Sequence, residues 1–268
     1  MPRIIKSVWS SVRRNLRKKL HRAQGKQVLH FLHVGKTGGT AIKYALKPYQ
    51  VTPAHAIVLH GHRFTLREMP KGEKAMFCLR DPASRFVSGF YSRRRQGRPR
   101  YCVPWTPAET IAFAEFPTPN RLAVALSSAD DEERRRAETA MRNIGHLNSE
   151  YVQWLGNEEY LLTRLQDIFF VGFQETLADD FETLKLKLGL PLHLKLPTDE
   201  IAAHRNPEYL DKRLNDEAMK NLKRWYADDF RLFALCQRIH RLTSKKKEGD
   251  LAGIANVQSF SSSEPALD

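Results

Sequence analysis

The sequence predicts an α/β fold: a single domain whose central parallel sheet is flanked by helices. Three observations carry that expectation. Apolar runs at 28–34, 56–60, 75–80 and 168–173 have the length and composition of strands buried on both faces. The first three are separated by connections long enough for crossovers, so parallel pairing is the economical topology. The first run also breaks into GKTGGT and then resumes with helical spacing, which reads as strand, tight loop and helix.

At 268 residues and 41% hydrophobic, the chain is long enough for one full-sized domain with its own core and short for two. That domain is expected over 27–242. Residues 1–26 hold nine Lys or Arg and no acid, with Ile5, Val8, Trp9, Val12, Leu16 and Leu20 roughly at helical spacing. They read either as an amphipathic helix on an anionic membrane surface, through residues 1–24, or as a solvated or packed terminal helix. From Thr243 to 268 the chain is Lys-, Ser- and Gly-rich without periodicity, and a disordered tail is expected. No run approaches the roughly 18 apolar residues of a membrane span, and no signal-peptide core follows the basic start. A formal charge of +14 points to an anionic partner. Cys78, Cys102 and Cys236 are too few and too widely spaced for a disulfide framework or a zinc site. A reducing, cytoplasmic setting follows, with peripheral membrane contact if the terminal helix binds lipid.

The first strand, Val28 to Val34, is interrupted only by His30 and His33. Gly35, Gly38 and Gly39 allow the next turn positive φ angles and close approach to a ligand. The helix from about Gly39 to Leu46 aims its free N–H groups back at that loop, where an anion is stabilised. Lys36 adds charge there, and Thr37 and Thr40 add hydroxyl donors. The loop is not a Walker A motif, because that pattern requires glycine where the chain has His30.

Ala56 to His60 forms the second strand and runs into GHRFTLREMP. His60 and His62, two apart, share a side if the chain stays extended. Ala75 to Arg80 forms the third strand, and Pro82 opens a helix over about Ala83–Arg95. The carboxyl ends of parallel strands share one edge, where ligands bind, so GKTGGT, HGH and RDP meet there.

HVGKTGGT followed by LRDPASRFVSGFYS resembles the paired nucleotide-binding motifs of sulfotransferases that use 3′-phosphoadenosine 5′-phosphosulfate (PAPS). LHGHRF is similar to the His-Gly-His element of the uronosyl, heparan sulfate 2-O-sulfotransferase type. The chain departs from the pattern at Gly35, where many relatives have proline. The resemblance implies a P-loop-like domain that transfers sulfuryl from PAPS to a hydroxyl, with 3′,5′-adenosine bisphosphate as product and no metal. It assigns Thr37, Gly38, Gly39 and Thr40 to the 5′-phosphate, and Arg80 and Ser88 to the 3′-phosphate. Lys36 would donate to the bridging oxygen as charge develops. His62 is the candidate general base, neutral in large part at pH 7, with His60 orienting it or the acceptor. A packed loop histidine and a metal pair are the other readings of His62. Arg85 either binds phosphate or pairs with an acid and braces its helix.

Arg93, Arg94, Arg95, Arg98 and Arg100 form either a solvated helix end or a rim that steers an acidic acceptor. Residues 106–165 read as mostly helical, with breaks near Pro117 to Asn120 and at Gly145. Ile168 to Phe173 is the fourth strand, and the helix Gln174 to Leu188 ends on Gly189, a fitting C-cap. By resemblance, the loop holding Arg205 closes over the nucleotide. A helical pair over about 215–242 supplies core. The expected partner is a hydroxyl-bearing acceptor, a glycan, and not nucleic acid; the sequence specifies neither its identity nor the oligomeric state. The other functional readings are a non-catalytic binder of polyanions or membrane surfaces, and a nucleotide-dependent phosphotransferase.

Overall fold

The computed structural model describes residues 20–199, 207 and 210–245. Residues 1–19, Arg205 and the segment beyond Lys245 lie outside the described residues, and with them most of the basic N-terminal segment, the closing loop and the expected tail.

Four strands, β1 (Gln27–Leu32), β2 (His55–Leu59), β3 (Lys74–Leu79) and β4 (Ile168–Phe173), form one sheet in the order β2-β1-β3-β4. Every pairing is parallel. All but the first residue of β1 and of β3 are buried, as expected for strands covered on both faces. The first strand stops two residues before its predicted end, because the Val34 N–H turns back to the Leu32 carbonyl.

Side chains alternate across the sheet. Leu29, Phe31, Met76, Cys78 and Phe170 point to one face, covered by α1 (Gly39–Leu46) and α8 (Leu177–Leu188). Leu32, Ala75, Phe77, Leu79 and Val171 point to the other. That face is covered by α6 (Tyr151–Leu155), α7 (Glu158–Thr163) and α10 (Ala227–Lys245). A third apolar cluster joins α2 (Pro82–Arg94), α3 (Pro107–Glu115), α4 (Pro119–Ala125), α5 (Asp131–Asn143) and α9 (Asp216–Trp225) into a helical layer. At roughly 1.5–3 kcal/mol for each fully buried large apolar side chain, these clusters fix how the strand ends meet at one edge.

Local signals set the helix limits at that edge. The Asp81 carboxylate caps α2 by accepting the Ser84 N–H at 2.8 Å, with Pro82 in the first turn. Gly189, at φ 65°, closes α8 as its C-cap. That helix begins at Leu177, three residues later than predicted, because the Gln174 N–H still pairs with the Leu79 carbonyl.

Candidate active site

A cavity of about 850 Å³ opens at the carboxyl edge of the sheet. Its walls take residues 35–41 from the loop after β1 and the start of α1, His62 after β2, Arg80 after β3, and Gln174 and Glu175 after β4. All of the predicted residues Lys36, Thr37, Gly38, Gly39, Thr40, His62, Arg80 and Ser88 line it.

The loop after β1 differs in detail from the expectation. Positive φ falls on Lys36 (67°) and Gly38 (81°), whereas Gly35 and Gly39 keep ordinary angles. Gly39 is needed for space instead: a Cβ there would lie 2.8 Å from His33 Cδ2. The Thr37 hydroxyl donates to the Val34 carbonyl at 3.0 Å, so the proton counted as a ligand donor is engaged inside the loop. Gly38 is the N-cap of α1, and the first residues of that helix, Gly39, Thr40 and Ala41, line the cavity.

Arg85 braces the site. It is 4% exposed and is not among the cavity-lining residues. Its Nε donates to the Gly35 carbonyl at 3.1 Å, one terminal nitrogen donates to Asp229 at 2.9 Å, and the other donates to the Ser149 carbonyl. The guanidinium also packs on the Tyr151 and Trp154 rings. One buried cation thus joins the phosphate-sized loop to α2, α10 and the residues before α6.

His60 and His62 part company, because the chain turns at Gly61 instead of staying extended. His60 stacks on Phe64, with ring centroids 3.5 Å apart, and its Nε2 lies 2.8 Å from His30 Nδ1. His30, fully buried, bonds Glu73 through its other nitrogen. His60 therefore joins a buried polar chain and is not among the residues lining the cavity. His62 stacks on His33 at 3.8 Å. Its Nδ1 lies 3.0 Å from the His33 carbonyl, an acceptor, so Nδ1 carries the proton and Nε2 holds the lone pair. The Trp154 indole N–H donates to the His62 carbonyl at 2.6 Å and fixes the backbone. Burial lowers the His62 pKa, with Lys43 and Lys36 adding repulsion against the bond to His33, and the ring stays neutral.

The cavity is electropositive. Lys36, Arg80, Arg100, Lys195 and Lys212 line it against the acids Glu175 and Glu182. Glu175 accepts the Asp81 N–H at 2.9 Å, and Glu182 pairs with Lys185 at 2.8 Å. Burial, and then repulsion from Arg80 and Arg95, bring Lys36 down to about 7. An anion beside it would favour the charged ammonium. Arg80 is oriented by a bond from its Nε to Ser84 Oγ at 2.8 Å, and burial lowers its pKa.

The sulfotransferase family model matches residues 22–235. The chain belongs to the sulfotransferase family. The match takes in all four strands and every described cavity-lining residue, and no curated protein matches the chain.

Sequence reading missed two further histidines on the wall of this sulfotransferase, His33 and His146. In the sequence His33 is only an interruption of an apolar strand. Burial, His62 and Lys43 hold it down to about 3. His146 follows the predicted break at Gly145, and the unassigned signal was a histidine directly after that glycine. Among the described residues, no group of three or more His, Cys, Asp or Glu is arranged to hold a metal ion, and no helix is long and apolar enough to cross a membrane.

Proposed function

We propose that this sulfotransferase transfers a sulfuryl group from PAPS to a hydroxyl of a carbohydrate acceptor, with His62 as general base. The observation that carries this reading is the tautomer of His62: Nδ1–H is committed to the His33 carbonyl, which leaves Nε2 as a proton acceptor in the cavity that also holds Lys36.

The residues present suit the nucleotide. About 850 Å³ lies within the range of cofactor-sized pockets. The excess of cations and the start of α1 suit a multiply charged anion. When bound, PAPS supplies a sulfuryl group already joined to a phosphate leaving group. Lys36 donates to the oxygen on which charge develops. His62 Nε2 takes the acceptor hydroxyl proton, and its shifted pKa keeps that lone pair free at neutral pH. Arg80 offers a planar fork to a phosphate, with Ser88 one helix further in. The carbohydrate assignment rests on the LHGHRF motif, with the cationic wall suiting an acidic acceptor.

The test is transfer of labelled sulfuryl from PAPS to a panel of glycan, lipid and small phenolic acceptors. Label entering glycan alone is expected. Label entering only phenols or lipids contradicts the acceptor class, and no transfer to any acceptor contradicts the reading.

A further inference from the structure

We infer that His146 is a further catalytic residue of this transferase, donating a hydrogen bond to a peripheral oxygen of the sulfuryl group in transit; this rests on the proposed reaction. Three features of its setting lead there.

The first is its backbone. His146 has φ 72°, a left-handed conformation that costs a residue with a Cβ on the order of 1–3 kcal/mol and persists only where the surroundings impose it. Both sides of the residue are held. The Gly145 N–H donates to Glu109 Oε1 at 3.1 Å, and the buried Glu109 is gripped by Arg93 through bonds of 2.7 and 2.5 Å. The Leu147 carbonyl accepts the Tyr226 hydroxyl at 2.7 Å.

The second is the approach of that turn to α2. A Cβ on Gly89 would lie 3.1 Å from His146 Cβ, so glycine at that position lets His146 settle against the helix beside cavity-lining Ser88.

The third is its place on the wall of the cavity that also carries Lys36 and His62. Burial first, and then repulsion from Lys36 and His62, brings its pKa down to about 3. Lys36 serves the departing oxygen and His62 the incoming hydroxyl. His146 thus shares one cavity wall with the groups proposed to serve the two reacting oxygens. A neutral imidazole there has one N–H to donate and keeps it throughout the physiological range.

The experiment uses two variants, 3′,5′-adenosine bisphosphate and orthovanadate, whose five-coordinate form mimics sulfur in transit. His146→Gly removes the ring and also relieves the backbone, so it does not lose function by unfolding. His146→Asn tolerates the left-handed conformation and keeps an N–H donor. Calorimetry is expected to show nucleotide affinity within about threefold of wild type for both. Vanadate affinity of the nucleotide-loaded protein, and kcat, should fall about a hundredfold in His146→Gly, as for loss of one preorganised donor. Both should stay within about tenfold in His146→Asn. Vanadate binding and kcat within about threefold of wild type in His146→Gly would overturn the inference. So would an Asn variant no better than the Gly variant, or an equal loss of nucleotide affinity. A wild-type protein that binds no 3′,5′-adenosine bisphosphate would remove the proposed reaction and this role together. Wild-type transfer matched by His146→Gly would remove only this role.

Discussion

Lys36 combines a left-handed backbone with burial and two cationic neighbours, and the last two disfavour its ammonium while no anion is beside it. With its pKa brought to about 7, the Lys36 side chain of the free protein titrates near neutral pH. A phosphate beside it favours the ammonium and raises the pKa again. The sign follows: well below 7 both states are protonated and binding takes up no proton, whereas above 7 the free protein has lost a proton that the complex regains. Nucleotide binding at about pH 8 should therefore take up close to one proton, and affinity should fall as pH rises. Calorimetry with 3′,5′-adenosine bisphosphate in Hepes and in Tris, which differ in ionisation enthalpy, measures that uptake. Zero uptake at this pH would contradict the coupling of Lys36 titration to nucleotide binding.

At the scale of elements, the loop after β1 is held from behind by α2 through Arg85. Removing one partner of a buried ion pair costs roughly 3–5 kcal/mol, because the remaining charge stays buried. Arg85→Ala strands Asp229 and frees the Gly35 and Ser149 carbonyls. At about 2–4 °C per kcal/mol for a domain near this size, the variant should melt roughly 10 °C lower in a calorimetric scan. An unchanged melting temperature would mean that the brace is idle. The strands and helices were legible because burial on both faces, Pro82, Asp81 and Gly189 each act locally. Arg85 was legible only as two alternatives, phosphate ligand or helix brace, because its partner Asp229 lies 144 residues away and no local pattern names it. The separation of His60 from His62 was hidden for a related reason. A two-residue period holds only in extended chain: the His60 N–H still pairs with the Phe31 carbonyl of β1, whereas the turn after Gly61 re-aims His62.

At the scale of the molecule, one sheet edge gathers residues from across the chain into one basic cavity. The topology made GKTGGT, HGH and RDP readable as a single site, since parallel strands put their carboxyl ends together. His146 and Lys195 reach the same wall from long connections whose paths depend on tertiary packing, and they left only faint traces in the sequence. The formal charge of +14 announced an anionic partner, and the geometry narrows where one would sit. In the proposed reaction His62 accepts the proton of the acceptor hydroxyl while other residues hold the nucleotide. The most direct test of that division measures kcat and nucleotide affinity together in His62→Ala. Loss of a general base predicts a kcat lower by about a hundredfold or more, with 3′,5′-adenosine bisphosphate bound as tightly as by the wild type; near-normal kcat in that variant would contradict the account.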